Sequence, residues 1–317
     1  MLIRKVSAAF PEREVDSSQI AEWCGSSSQF IEEKLGITSR RLLSPHENPY
    51  ELALSAVKLL FQENSSPTPD QIKLCIFVGQ SMSPKIPHIS ALLHRDLKLP
   101  ATCACLDLDL ACSGYIYALA VAQSMMQSYS IKDALIVTCD PYSPILNTED
   151  RSTMPLFGDA ATASWLSMTG PGLTVLDFLL GTDGSGADYL VYPSEKTDGK
   201  LYMDGKGILG KAFAHVPDAI KTCLARNNLN ENDIELFIFH QANAYIVGKL
   251  RERLKIPEAK CPVFLEHTAN TVSSSIPLFF TEKRPRLNKN KLYLLCAFGG
   301  GFSWGVALCK YTEDSDD

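Results

Sequence analysis

Three side chains far apart in the chain could together perform nucleophilic catalysis: Cys112, His240 and Asn270. Cys112 lies in LDLDLACSGYIYALAVAQSMM (106–126). Apolar and acidic residues alternate over Leu106, Asp107, Leu108, Asp109 and Leu110, the pattern of a short buried strand. Past Ala111-Cys112-Ser113-Gly114 the period becomes helical, with Tyr115, Leu119, Ala122 and Met126 on or near one face. The cysteine therefore falls where a strand turns into a helix. Small neighbours let the backbone turn tightly there. Unpaired N–H groups at a helix start favour a thiolate over a thiol whose ordinary pKa is about 8.5. The plainer alternative is a buried structural cysteine. His240 ends an apolar run in LFIFHQANAYIV, where a satisfied core histidine is the alternative. Asn270 lies in the polar run HTANTVSSSIP, as a loop, cap or helix-start residue would.

The elements that must position these groups alternate in type. The patterns predict strands at 2–9, 72–78, 106–110, 134–138 and 158–166 in the first half. A short helix begins near Ser26-Ser27-Ser28 and ends at Gly36, and others cover 49–63 and 89–97. After Gly170-Pro171-Gly172 come strands at 173–180, 235–239, 261–265, 292–297 and 302–308. Between them lie a glycine-rich loop at 181–189 and helices at 213–226 and 241–254. The continuous apolar run IKLCIFV (72–78) suits a parallel strand covered on both faces. Such alternation indicates α/β architecture. A strand leads into Cys112 and a helix, and another leads into His240 and a helix. A duplicated βαβ unit would set the two at equivalent strand ends across a pseudo-dyad, outside the carboxyl ends of the strands.

Bulk properties exclude several function classes. A chain of 317 residues with 45% hydrophobic content can bury a large core. The net charge of −6 argues against nucleic acid as the main partner. No apolar run reaches membrane-span length, and MLIRKVSAAFPERE lacks the apolar segment of a secretory signal. Ten cysteines without metal-type pairs read as reduced thiols, so a cytoplasmic location is expected. The acidic end, 312–317, reads as a solvated tail.

Five motifs carry a more specific signal: DLACSGYIYAL (109–119), DRSTMPLFGDAA (150–161), HQAN (240–243), NTVSSSIP (270–277) and AFGGGFSWG (297–305). Through them, and from residue 2 to about 310, the chain resembles the type III β-ketoacyl-acyl-carrier-protein synthases of the thiolase superfamily. The resemblance implies a thiolase-like α/β fold with two duplicated βαβ-type halves in five layers, α-β-α-β-α. Residues 1–168 would hold the nucleophile, and 169–317 the histidine and asparagine. It also implies a homodimer, and it identifies Cys112, His240 and Asn270 as the catalytic triad. Ala269 stands where the family has glycine.

The implied reaction is a decarboxylative Claisen condensation. An acyl group from acyl-CoA or acyl-carrier protein is transferred to Cys112, with the backbone N–H groups of Cys112 and Gly300 as the oxyanion hole. Malonyl-carrier protein then loses CO₂, and the enolate oxygen takes hydrogen bonds from His240 and Asn270. Neither step needs a metal or redox cofactor.

The family further implies a pantetheine channel lined by Asn243 and Gly205, with Arg151 near a nucleotide end and Phe157 in the acyl pocket. At the mouth the family run WIxxRTGI reads FIEEKLGI here, so Phe30 and Lys34 replace a Trp and an Arg. Phe30 can still stack on adenine and Lys34 can meet phosphate as a point charge. Ile86, before Pro87, occupies the loop position that reaches into a dimer partner. Lys249, Arg251, Arg253 and Lys255 on the helix after HQAN form a basic patch suited to an acidic carrier protein, with a solvated helix face as the alternative. The basic run 283–291 invites the same two readings.

Three rival functions share parts of this pattern. A papain-like hydrolase shares the order Cys, His, Asn, but ACSGYI is not the protease signature and Cys112 is mid-chain. A thiolase-fold enzyme moving an acyl group to an O or N nucleophile without decarboxylation remains the alternative, with Asn270 favouring condensation. A catalytically silent subunit is disfavoured by the intact triad.

Overall fold

The computed structural model describes residues 1–281 and 287–313; Lys283 and the acidic end 314–317 lie outside the described residues. The first half comprises β1 (Leu2–Ala9), β2 (Glu14–Asp16), α1 (Ser17–Cys24), α2 (Ser28–Phe30), β3 (Ser39–Arg41), α3 (Pro49–Gln62), β4 (Ile72–Val78), α4 (Ile89–Asp96), β5 (Ala104–Leu108), α5 (Gly114–Ser128), β6 (Asp133–Cys139) and β7 (Ala161–Ser167). The second comprises β8 (Gly172–Thr182), β9 (Leu190–Val191), β10 (Tyr202–Met203), α6 (Gly205–Arg226), β11 (Ile234–Phe239), α7 (Ala244–Leu254), β12 (Leu292–Gly299) and β13 (Ser303–Thr312).

Nine of the strands form one mixed sheet in the order β5-β4-β6-β7-β1-β8-β13-β12-β11. Its halves meet where β1 pairs with β8 through Leu2 and Ile3. Each half has the same pairing logic. β4 is parallel to β6, β6 antiparallel to β7, and β7 antiparallel to β1. Likewise β11 is parallel to β12, β12 antiparallel to β13, and β13 antiparallel to β8.

Five layers follow from where the helices pack. α3 and α4 cover the outer face of the first half, and α6 lies over β8, β12 and β13. α5 lies between the halves, touching β4 and β6 on one side and β12 and β13 on the other. Short 3-10 turns at Val272–Ser274 and Pro277–Phe280 share that central layer, against β1, β6 and β7. A helix sandwiched this way must be apolar nearly all round. Accordingly Tyr115, Ile116, Ala118, Leu119 and Ala122 are fully buried.

This topology corrects the expected pseudo-dyad. β11 matches β4, so His240 sits at the counterpart of the end of β4, not of β5. The counterpart of Cys112 is Asn270, because both open the central-layer segment of their half. Residues 261–265 form no strand, although their apolar pattern predicts one. At this edge the Gln241 side chain does the bridging: its Nε2 donates to Phe239 O (2.8 Å), and Phe264 N–H donates to its Oε1 (2.8 Å). β5 is an edge strand, half-exposed instead of buried, and Asp107 on it accepts from the N–H groups of Ile89 and Ser90 at the start of α4. α6 begins at Gly205, earlier than its apolar period suggests, because Asp204 caps it by accepting from Lys206 and Gly207 N–H.

Leu119→Ala leaves a void between the two halves of the sheet that cannot collapse around it, so it should cost about 2–5 kcal/mol of stability. Tyr129→Ala, at a side chain 72% exposed, should fall within about 0.5 kcal/mol. Denaturant unfolding of the two variants checks the layer assignment.

Candidate active site

A cavity of about 240 Å³ runs from the exposed side chains of Lys206 and Tyr245 to a buried end formed by Cys112, His240 and Asn270. The fold thus brings the three residues together, each less than a tenth exposed. Asn243, Gly205, Gly300 and Phe157 line the same cavity. Phe30, Lys34, Arg151 and Ile86 do not. Phe30 is 46% exposed, Lys34 lies on the surface, and Arg151 Nε donates to Cys24 O (3.2 Å). Ile86 is 91% exposed.

The nucleophile is a neutral thiol at rest. Burial pushes the Cys112 thiol well above its ordinary pKa, the nearby Asp140 carboxylate adds to the rise, and only the residue's own N–H opposes it. The expected helix-start stabilisation of a thiolate is thus outweighed. Burial is the larger cause; in addition, Gly114 N–H is spent on Ala111 O and those of Ile116 and Tyr117 on Ser113 O. By contrast, the N–H groups of Cys112 and Gly300 make no backbone hydrogen bond among the described residues. Close approach of the 299–301 loop requires glycine. A Cβ on Gly299 would stand 2.7 Å from Cys112 Cβ and 3.2 Å from its sulfur.

His240 is held neutral, its pKa pushed down to about 3 by burial. Its Nδ1 shares a 2.6 Å hydrogen bond with Ser275 Oγ, and the ring packs edge-on against Phe298. That contact leaves Nε2 as the ring nitrogen available to the cavity. Ser275 was not singled out from the sequence, where it is one serine in a run of three. Asn270 Oδ1 accepts from Val272 N–H (2.9 Å), which commits the oxygen and leaves the amide NH₂ to donate. Its backbone is clamped to the loop before β7: Asn270 N–H donates to Leu156 O (2.9 Å), and Gly158 N–H donates to Asn270 O (3.0 Å). The flanks are strained. Ala269 (φ 57°) and Val272 (φ 54°) both occupy the left-handed region, which costs on the order of 1–3 kcal/mol per non-glycine residue. A glycine at 269 would be at ease there, and alanine is not.

Beside the cavity wall, the rings of Tyr142 and Phe157 lie 4.9 Å apart. Asp140, buried and raised to about 6, accepts from Gln80 and Ser81 N–H. The basic patch on α7 is partly neutralised. Lys249 pairs with Glu252 (2.7 Å) and Arg251 with Glu258 (3.2 Å), while Arg253 lies over the Phe213 ring (6.0 Å) and Lys255 forms the exposed C-cap. Among the described residues no group of three His, Cys, Asp or Glu side chains could hold a metal ion, and no helix is long and apolar enough to cross a membrane.

Comparison with known proteins agrees with this geometry. Residues 106–184 match the family model described as 3-oxoacyl-(acyl-carrier-protein) synthase III, and residues 224–311 match its C-terminal counterpart. The β-ketoacyl-(acyl-carrier-protein) synthase III of Chlamydia caviae is 32% identical, with 98% of each chain covered. A solved 3-oxoacyl-(acyl-carrier-protein) synthase III superposes with a TM-score of 0.90 at 31% identity, covering 98% of this chain and 99% of the other. The 3-oxoacyl-(acyl-carrier-protein) synthase of Burkholderia xenovorans gives 0.91 at 29% identity, covering 98% and 94%.

Neutral burial of His240 has a consequence for stability. The unfolded chain protonates this ring near 6.5, the folded chain only near 3. The unfolded state therefore binds more protons below pH 6.5, and stability falls by about 1.4 kcal/mol per pH unit toward pH 3. Asp140 acts in the opposite sense, its burial cost easing as pH falls through about 6. Replacing the histidine isolates its share: between pH 7 and 4.5 the parent should lose about 2–3 kcal/mol more than His240→Asn. Equal losses in urea titrations would contradict the buried neutral ring.

Proposed function

The chain belongs to the 3-oxoacyl-(acyl-carrier-protein) synthase III family, and from that premise we propose how Cys112, His240 and Asn270 divide its reaction. The enzyme is an acyltransferase that condenses an acyl thioester with malonyl-carrier protein, releasing CO₂ and giving a β-ketoacyl thioester. Acyl carrier protein is accordingly a partner.

In the first step the Cys112 sulfur attacks the acyl carbonyl, the carbonyl–sulfur bond to the donor breaks, and the thiol proton passes to the departing thiolate. The free N–H groups of Cys112 and Gly300 receive the oxyanion. Burial suits this step, because donors in a dry site stabilise developing charge more than water-exposed ones do. In the second step the malonyl thioester loses CO₂, and its bonding electrons pass to the thioester oxygen as an enolate. His240 Nε2–H and the Asn270 NH₂ donate to that oxygen. The carbanion carbon then attacks the acyl-Cys112 carbonyl, the carbon–sulfur bond to Cys112 breaks, and the expelled thiolate takes up one proton from solvent, the proton that the overall reaction consumes. No step calls on a metal or redox group.

The observation that carries this reading is a soft nucleophile sharing one cavity with two neutral donors. Asn270 is singled out for the second step because its oxygen is already committed to Val272 N–H. Asn243 and Gly205 would flank the pantetheine arm, and Phe157 the acyl group. Phe30, Lys34 and Arg151, which stand off the cavity, would meet only the outer part of a CoA donor. Arg253 and Lys255 are the α7 cations left for carrier-protein docking. We also propose a homodimer: Ile86 is too apolar to stand free at 91% exposure, and β5 is an open sheet edge. A cytoplasmic site of action fits the reduced cysteines.

Two experiments divide the steps. Intact-mass analysis with acyl-CoA or acyl-carrier protein should add one acyl group, and Cys112→Ala should abolish the adduct. Asn270→Ala should keep the adduct but lose CO₂ release from malonyl-carrier protein by about 100-fold or more. An O- or N-acyltransferase would show the adduct and release no CO₂ at all. Ser275→Ala should slow condensation roughly 10- to 100-fold by freeing the His240 ring, and Ser275→Thr should restore most of it. Unchanged rates in Ser275→Ala would remove the orienting role.

A further inference from the structure

Arg40 is a fully buried cation that the reaction described above does not use. It lies on β3, and its pKa is pushed down to about 10 by burial. No carboxylate pairs with it among the described residues. Instead one terminal nitrogen, NH1, donates to three carbonyls of a single loop: Met154 O (3.3 Å), Pro155 O (2.7 Å) and Phe157 O (3.3 Å). Its Nε and its second terminal nitrogen are buried without a partner. Keeping a guanidinium dry with two donors unsatisfied is unfavourable, so the arrangement is not explained as a gain in stability.

The loop it grips is the one that clamps Asn270. Leu156 O accepts the Asn270 N–H, Gly158 N–H donates to Asn270 O, and Phe157 bridges Asn270 as an isolated parallel pair. On its other side this loop has no slack, since a Cβ on Gly158 would stand 2.2 Å from Thr268 O. Asn270 itself is flanked by Ala269 and Val272 in the left-handed region, a backbone that relaxes unless its surroundings hold it. We propose that Arg40 is a positioning residue: by fixing the carbonyls of 154–157 it holds the strained Asn270 loop so that the amide NH₂ points at the enolate oxygen. This rests on the role given to Asn270 above. Cys112 belongs to another element and, among the described residues, makes no hydrogen bond to this loop, which reaches the acyl pocket only through Phe157, so decarboxylation should respond more strongly than acylation.

The test compares Arg40→Lys, Arg40→Met and Asn270→Ala, measuring Cys112 acylation by intact mass and decarboxylation as CO₂ released from malonyl-carrier protein. In Arg40→Lys, which keeps one cation against the loop, decarboxylation should fall roughly 10- to 100-fold while acylation falls far less. Arg40→Met should fall further. Adding Ala269→Gly to Arg40→Lys should restore part of the lost decarboxylation, because a glycine holds the left-handed turn without help. Parallel loss of both half-reactions in Arg40→Lys, tracking its folded fraction, overturns the proposal, as does no loss in either. Should Arg40→Met fail to fold, Arg40→Lys and its Ala269→Gly partner decide alone. If Asn270→Ala itself decarboxylates normally, the assignment of Asn270 fails, and the proposal with it; if only the Arg40 variants behave normally, the Asn270 assignment stands.

Discussion

The site depends on one constraint: α5 and the segment opened by Asn270 are both buried between the two halves of the sheet. Duplicated topology brings the starts of these two segments into one central layer, so Cys112 and Asn270 meet although they are far apart in sequence. His240 enters from the neighbouring strand end of the second half, completing the group from a third direction. Because the core of the protein surrounds this layer, the reacting end of the cavity is shielded from bulk solvent.

Burial sets the charge state. The same burial that raises the Cys112 thiol lowers the His240 ring, so the resting group is uncharged. A neutral site avoids the large cost of holding unpaired ions away from water. It also reserves its donors for charge that appears during reaction, on the tetrahedral oxygen and then on the enolate, where fixed dipoles in a low dielectric act most strongly. Precision comes from backbone clamps more than from side-chain contacts. Gly299 is pressed against Cys112, the Asn270 main chain is stitched to Leu156 and Gly158, and Ser275 holds the far nitrogen of His240.

Much of this was legible in the sequence. The apolar runs that became β4, β6 and β11 read correctly because strands covered on both faces must be apolar throughout, and the three cavity-end residues followed from the family resemblance that their motifs carry. Misreadings have local causes. Residues 261–265 look like a strand, yet a single glutamine side chain takes over the bridging there. The start of α6 was hidden by Gly205, Gly207 and Gly210, whose poor helix propensity is overridden by the Asp204 cap. The thiolate expectation for Cys112 used a true rule about helix starts, but burial and the nearby Asp140 outweigh it. Arg40 and Ser275 gave no signal at all: an Arg-Arg pair and a serine run look like surface until the fold shows what they touch.

The most direct test is a crystal structure of the enzyme with a non-cleavable malonyl thioester analogue in the cavity. The account predicts its thioester oxygen at about 3 Å from both His240 Nε2 and Asn270 Nδ2, with the malonyl carbon facing the Cys112 sulfur. An analogue bound with that oxygen on neither donor, or with Cys112 walled off from it, would contradict the account.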